Sequence, residues 1–161
     1  LDRFLMHVRI GYPDEAAERA ILSLNRREAL ESDQSTKAAC PRVSQQHIFD
    51  ARNELLNMHM AEPLESYLLQ LVLAPRKPER NGDDLARWVQ FGASPRASIS
   101  LDRCSRAHAW LDGRDFVTPD DIQSVAPDVM RHRILLGYEA EADGITPDHL
   151  IETLISRIAV P

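Results

Sequence analysis

The sequence is poor in cysteine and in aromatic residues, and it contains no long hydrophobic run. Its two cysteines, Cys40 and Cys104, lie far apart and do not have the ligand spacing of a metal site. So few cysteines in 161 residues exclude a disulfide-rich scaffold, and we expect a reducing, cytoplasmic location. No apolar segment approaches the roughly 20 residues that a transmembrane helix needs, so we expect no membrane span.

Recognisable catalytic motifs are also missing. The sequence has no Gly-rich phosphate loop ending in Gly-Lys-Ser/Thr, no nucleophile elbow and no Cys–His pair with supporting spacing. Its six histidines are scattered without a His-x-x-x-His pair, so we predict no metal site. The acidic residues Glu139, Glu141 and Asp143 are interpreted as a solvated face, with a divalent-ion site as the weaker alternative. The chain by itself therefore carries no catalytic machinery.

The sequence has fewer basic than acidic residues. The chain has 25 acidic and 19 basic residues, which give a net charge of −6. A dedicated nucleic-acid binder normally has a basic excess, so nucleic acid is not an expected partner.

One strand is predicted, close to the first residue. Met6, Val8 and Ile10 alternate with His7 and Arg9, which is the period of a strand. A lone strand is unstable because its backbone groups need a neighbouring strand. We therefore expect Leu5–Ile10 to belong to a sheet that lies upstream, and the chain to be part of a larger protein.

The rest of the sequence is predicted to be an all-α bundle of about five or six helices. Helix starts are indicated by capping residues or by a proline in the first turn, at Asp14, Ser44, Pro63, Ser94, Thr118 and Thr146. The most regular apolar stripe comprises Leu64, Tyr67, Leu68, Leu71 and Val72. A second stripe is predicted at Ile48, Ala51, Leu55 and Leu56.

Several breaks are predicted between these helices. Residues 26–42 lose helical periodicity and form either a polar linker or the frayed end of the preceding helix. Pro127 is expected to divide its segment into two short helices. Gly113 is expected to end a helix in the left-handed conformation, and Asp115–Val117 to pair with residues 57–60. The cations of Arg131–Arg133 are interpreted as structural.

The stretch Gly92–Ser98 contains an unusual charge. Ser94 and Pro95 are good residues for a helix start, but Arg96 puts a cation where the helix dipole favours an anion, at a cost of about 0.3–1 kcal/mol. An arginine beside open backbone amides can bind phosphate. A solvated surface arginine explains the pattern equally well, and the local sequence leaves both interpretations open.

Taken together, five segments resemble one family. Leu1–Pro13 resembles the end of the ATPase core of MoxR-type AAA+ ATPases, and Gly92–Ser98 and Gly113–Ile122 resemble their helical lid. Ala126–Arg133 and Arg157–Pro161 fit the same family. The resemblance covers nearly the whole chain, as a C-terminal fragment of such a protein.

This resemblance implies roles for two arginines. Arg96 would be the sensor-2 arginine, which reaches from the lid towards the γ-phosphate of ATP. Arg3 would be the arginine finger, which acts in the nucleotide site of the neighbouring subunit. ATP and Mg²⁺ would be bound mainly by a core that the chain does not contain, so the fragment alone should not hydrolyse ATP.

The resemblance also implies an organisation and partners. Residues 1–13 would be the end of the ATPase core, 14–42 a connecting helix and polar linker, and 43–161 the helical lid domain. The parent protein would form a homo-oligomeric ring, a hexamer, and would couple ATP hydrolysis to chaperone-like remodelling or maturation of partner proteins. Proteins with von Willebrand factor A domains are the partners that the family suggests.

The alternative is a free-standing helical adaptor or DNA-binding module. A cluster of Arg103, Arg106 and Arg114 with the short helix that begins at Thr118 is compatible with such a surface. The acidic balance and the isolated strand argue against it.

Overall fold

The computed structural model of the chain describes residues 1–31 and 42–161. It contains α-helices and one small sheet. The helices are α1 (Glu15–Glu31), α2 (Gln45–Asn57), α3 (Glu62–Leu73), α4 (Asp83–Trp88), α5 (Pro95–Leu111), α6 (Pro119–Met130), α7 (Tyr138–Ala142) and α8 (Pro147–Arg157). The strands are β1 (Val89–Phe91) and β2 (Leu135–Leu136). Within the described residues, no helix is long and apolar enough to cross a membrane.

The chain divides into two compact units. One contains Leu1–Val8 and Phe49–Pro161, and the other contains Arg9–Ile48. In the second unit, α1 begins at the predicted residue, because Asp14 Oδ1 accepts a hydrogen bond from the Ala17 amide at 2.8 Å. The helix continues to Glu31, so residues 26–31 are helical rather than linker. The rest of the predicted linker, residues 32–41, lies outside the described part of the chain.

The hydrophobic core lies in the larger unit and is built by α3, α5, α6 and α8. The predicted stripe of α3 is buried along its whole length, including Tyr67 and Leu71. Helix α5 packs mainly against α6 and also against α3, while α8 packs against α6. This arrangement confirms the all-α class, with eight α-helices in the described residues instead of five or six.

Capping residues start the helices as predicted. The Ser44 hydroxyl accepts from the His47 amide, and the Thr146 hydroxyl from the His149 amide. Thr118 and Asp121 form a reciprocal capping box at the start of α6. After α5, Gly113 has φ = 75°, the left-handed conformation that ends a helix.

The strands are short and lie away from the predicted one. β1 and β2 pair antiparallel, with Val89 opposite Leu136. A parallel bridge joins His59 to Phe116, which confirms the predicted pairing of these two segments. Leu5–Ile10 forms no strand in the described part of the chain. A strand requires a neighbour with which to form ladder hydrogen bonds, and β1 and β2 pair only with each other.

The predicted break at Pro127 is wrong, and the predicted stripe of α2 is only partly correct. Pro127 does not divide α6, which runs unbroken from Pro119 to Met130. A proline inside a helix costs about 3 kcal/mol, but this helix buries a continuous apolar face, and each such side chain is worth about 1.5–3 kcal/mol. The predicted stripe of α2 is buried only in part: Ile48 and Leu56 are exposed, whereas Ala51 and Leu55 are half-buried and Leu55 packs against the core. Helical periodicity predicts that side chains share a face, but not that another element covers it.

Candidate functional site

The N-terminus of α5 is the site that the sequence singled out. Ser94 is in the extended conformation, and its Oγ accepts from the Arg96 amide at 3.2 Å. The preceding Gly92 lies against another backbone segment, since a Cβ there would come within 2.7 Å of Pro75 and Arg76. The Arg76 side chain also donates from Nε to the Ala93 carbonyl at 2.7 Å. The segment at Pro75 and Arg76 therefore packs closely against the residues that precede α5 and holds them in place.

Arg96 extends from this helix start into solvent. Its side chain is 64% exposed, and its guanidinium lies 3.4 Å from Asp2 Oδ2. The Ser94 hydroxyl lies 2.9 Å from the same oxygen and 3.1 Å from Asp2 Oδ1. An anion is thus present at the first turn of α5, where the helix dipole favours one, and it is a carboxylate of the chain itself.

Arg133 completes the surroundings of this carboxylate. Its Nε lies 3.3 Å from Asp2 Oδ1, an ion-pair distance without hydrogen-bond geometry. Burial raises the pKa of Asp2, but the Ser94 hydrogen bond and the charges of Arg133 and Arg96 outweigh it, so the pKa is lower than usual. Asp2 is therefore ionised at neutral pH.

The same arginine holds the first residues of the chain. The guanidinium of Arg133 is buried and donates to the Leu5 carbonyl at 3.2 Å, to Ser100 Oγ at 3.1 Å and to the carbonyls of Phe4 and Val129. Burial lowers its pKa, and the charge of Asp2 opposes that shift.

Arg131 and His132 also hold the first residues. The Arg131 guanidinium donates to the His7 carbonyl at 2.5 Å and to Asp148 at 2.7 Å, and His132 Nε2 lies 3.2 Å from the Phe4 carbonyl. These contacts agree with the structural interpretation of Arg131–Arg133. Their main role is to hold residues 2–7 rather than to neutralise a helix end.

Arg3 lies beside Asp2 on this held segment. It is exposed and makes no hydrogen bond or ion pair with the described residues. The structure does not bring Arg3 and Arg96 together as one pair. It links them through Asp2, which is next to Arg3 in sequence and touches Arg96 in space.

The contacts of Asp2 with Ser94, Arg96 and Arg133 were not predicted. Asp2 is separated from Ser94 by 92 positions, and no local pattern predicts a contact over that distance. The only available signal was the unusual charge at Arg96, which called for a nearby anion.

A second cluster of charges lies at the other end of α5. Asp121 is fully buried and accepts from Arg114, from the Thr118 amide and hydroxyl, and from His108 at 2.7 Å. Burial raises the pKa of Asp121, but the hydrogen bonds from Arg114 and His108 outweigh burial. The pKa of Asp121 is therefore well below its usual range.

The same cluster could be taken for a metal site. His108, Asp112 and Asp121 are the three potential metal ligands that lie together in residues 1–31 and 42–161. Arg114 binds both carboxylates, at 3.1 Å from Asp112 and 2.7 Å from Asp121. A guanidinium in that position supplies the positive charge, so the chemistry of the cluster fits an internal ion-pair network rather than a cation site.

Two observations bear on the alternatives raised by the sequence. Arg106 is bound to Asp102 and to the Met58 carbonyl, and Arg114 to Asp121, so two of the three arginines of the supposed DNA-binding surface are occupied internally. The acids Glu139, Glu141 and Asp143 are all exposed, as expected of a solvated face, and Arg87 pairs with Glu139 at 3.1 Å and with Asp143 at 2.9 Å.

The fold and the family model together indicate an AAA lid domain. A helical bundle, with an exposed arginine at the start of a central helix, forms the larger unit, and residues 83–154 match the family model of the AAA lid domain. Helices α4 to α7 and most of α8 fall within that match.

Known proteins narrow the class to a family. The chain is 37% identical over 161 residues to the chaperone MoxR1 of Mycobacterium tuberculosis, covering 99% of this chain and 41% of that protein. It is 35% identical to the protein MoxR of Methylorubrum extorquens, covering 99% of this chain and 49% of that one. The chain is thus similar over nearly its whole length to proteins of the MoxR type, and it spans a little under half the length of these relatives.

A solved structure agrees with this assignment. The crystal structure of a candidate ATPase from Cytophaga hutchinsonii superimposes with a TM-score of 0.87 at 37% identity, covering 99% of this chain and 47% of that one. The magnesium-chelatase subunit ChlI of Nicotiana tabacum is 33% identical over 83% of this chain.

Proposed function

We propose that the chain is the lid portion of an ATP-hydrolysing AAA+ protein and that Arg96 is its sensor-2 arginine. The observation that carries this proposal is the environment of Arg96. Its guanidinium is exposed at the first turn of a 17-residue helix, and an anion already lies beside it. A γ-phosphate is a second anion that would suit this position.

Physical chemistry favours arginine for this task. A guanidinium keeps its charge at every physiological pH, and its planar array of donors matches phosphate oxygens. The open amides of the first turn of α5 add positive potential on the same side. The lid would thus contribute one charge and a dipole to a phosphate bound mainly by the core.

Arg3 is proposed to act in a neighbouring subunit. Its exposure, and its position on a backbone segment held by Arg131 and Arg133, support a side chain that projects outwards from a rigid base. In this role Arg3 would neutralise charge on the transferred phosphoryl group, an effect worth about 10³–10⁵ in rate in other enzymes.

The wider assembly follows from the family. We propose a homo-oligomeric ring, a hexamer, in the cytoplasm, in which ATP hydrolysis drives chaperone-like remodelling or maturation of partner proteins. Proteins with von Willebrand factor A domains are the proposed partners. Residues 1–13 are assigned to the end of the core, 14–42 to a connection and 43–161 to the lid.

Substrate binding would be shared between this chain and the core. ATP supplies the phosphoryl group that is transferred to water, and Mg²⁺ would be bound by the core. The chain contains no phosphate loop, so we expect it to show no ATP turnover and only weak nucleotide binding when isolated.

The test is steady-state ATP turnover by the full-length protein that contains this chain. Arg96→Ala should reduce turnover by roughly 10–100-fold, since the loss of one oriented donor to a developing charge has an effect of this order or larger. Arg103→Ala is the matched control, because it removes an exposed arginine from the same helix away from its first turn and should leave turnover near the wild-type value. Normal turnover in Arg96→Ala would contradict the assignment.

A further inference from the structure

Asp2 lies against two groups, Ser94 and Arg96, that the proposed site would use to receive a phosphate. Its carboxylate lies 2.9 Å from the Ser94 hydroxyl and 3.4 Å from the Arg96 guanidinium. It also lies 3.3 Å from the buried Arg133. Three groups, two from the start of α5 and one from the turn after α6, therefore converge on this one carboxylate.

The contacts of Asp2 differ in strength. Arg133 is buried and has many other partners, whereas the Arg96 side chain is 64% exposed and has Asp2 as its ion-pair partner among the described residues. Arg96 can therefore rotate away from Asp2 without leaving a buried group unpaired. The Ser94 hydroxyl can likewise turn to another acceptor.

A phosphate and the Asp2 carboxylate repel each other. Both are anions at neutral pH, and both would require the same guanidinium and the same helix start. One must therefore give way when the other is bound by Arg96.

We propose that Asp2 is an internal counter-ion that competes with the γ-phosphate of ATP for Arg96, and that binding of ATP breaks the Asp2–Arg96 contact. This inference rests on the proposed role of Arg96. Asp2 is a positioning residue, because it acts on the nucleotide through Arg96.

The competition for Arg96 would also affect Arg3, because Asp2 and Arg3 are adjacent in the chain. Asp2 precedes Arg3, the proposed finger for the neighbouring subunit. Loss of the Asp2–Arg96 contact removes one of the restraints on this segment, while the Arg133 contacts to the Phe4 and Leu5 carbonyls remain. Nucleotide occupancy in one subunit would thus alter the freedom of the residue that serves the next.

The experiment measures the affinity of the full-length protein for ATPγS and for ADP by fluorescence titration. Asp2→Asn removes the charge but keeps an oxygen that can accept from Ser94. We expect this variant to bind ATPγS about twofold to fivefold more tightly, the range expected for a partly exposed ion pair. ADP lacks the γ-phosphate, so its affinity should not change.

Three variants serve as controls. Asp2→Glu keeps the charge and should restore the wild-type ratio of ATPγS to ADP affinity. Asp115→Asn makes the same change of charge at an exposed side chain remote from Arg96 and should have no effect on that ratio. Asp2→Asn added to Arg96→Ala should produce no further change, because the competition requires Arg96.

The outcomes separate this inference from the function on which it rests. If Arg96→Ala weakens ATPγS binding but Asp2→Asn leaves the affinity ratio unchanged, the counter-ion role is wrong and the sensor role stands. An equal change for ATPγS and ADP in Asp2→Asn would also overturn the inference, since it would reflect a general structural effect. If Arg96→Ala alters neither affinity nor turnover, the proposed function itself fails.

Discussion

Arg157 near the end of the chain forms an ion pair with Asp84 in α4. Arg157 Nη1 lies 2.8 Å from Asp84 Oδ1 and also donates to the Asn81 carbonyl at 2.9 Å. The Arg157 hydrogen bond is the main reason that the pKa of Asp84 falls to about 2. At the scale of single residues, this pair links α8 to the start of the lid match.

This pKa predicts a dependence of stability on acid. The pKa of Asp84 is lower in the folded chain than its ordinary value of 3.8, so the unfolded chain binds its proton first as pH falls. The stabilisation by Asp84 is complete above that ordinary value and is lost as pH falls towards about 2. Asp84→Asn should therefore make the free energy of unfolding less dependent on pH over this window.

Urea denaturation of the chain at several pH values, followed by circular dichroism, measures the effect. Asp115→Asn removes an exposed carboxylate and should keep the wild-type slope. An Asp84→Asn slope equal to that of the wild type would contradict the ion pair as the cause.

At the scale of elements, capping residues predict helix starts well because the interactions are local. Ser44, Thr118 and Thr146 all cap the helices that they were predicted to cap. Two short helices, α4 and α7, were not predicted, since six and five residues are too few to display a period. The break at Pro127 was wrong because burial of the α6 face outweighs the proline cost.

The approach of β1 to the turn at Pro75 gives a prediction at this scale. A Cβ on Gly92 would lie 2.7 Å from the backbone of Pro75 and Arg76, and backbone cannot move aside as a flexible side chain can. Gly92→Ala should therefore lower the free energy of unfolding by about 1–3 kcal/mol. Thermal or urea unfolding measures this loss.

Gly11→Ala is the matched control for this substitution. No atom of residues 1–31 or 42–161 lies within 4 Å of a Cβ at Gly11, so the change should be nearly neutral. Equal stability of the Gly92 and Gly11 variants would contradict this prediction. It would show that the backbone at Gly92 can move away from that of Pro75 and Arg76 at little cost in free energy.

At the scale of the whole molecule, contacts between distant positions could not be predicted from the sequence. The Arg133 contacts to residues 2–5 join parts of the chain more than 125 positions apart, and Asp2 reaches Ser94 over 92 positions. Local patterns carry no information about such pairs. They identified Arg96 as unusual but not the carboxylate that accompanies it.

The resemblance to a family supplied what local patterns could not. It led to Arg3, which makes no hydrogen bond or ion pair with the part of the chain that the structure describes and would otherwise be an ordinary surface cation. Two proposed half-sites thus lie in one chain. Arg96 would act on the nucleotide of its own subunit and Arg3 on that of the next.

The most direct test of this account mixes two inactive full-length variants and measures ATP turnover. One is Arg3→Ala, which keeps its own phosphate loop, and the other has a disabled phosphate loop but keeps Arg3. A mixed ring places an intact finger beside an intact phosphate loop. Turnover in the mixture should therefore be well above that of either variant alone. Mixtures that stay inactive at every ratio, while both variants still assemble with wild-type subunits, would contradict it.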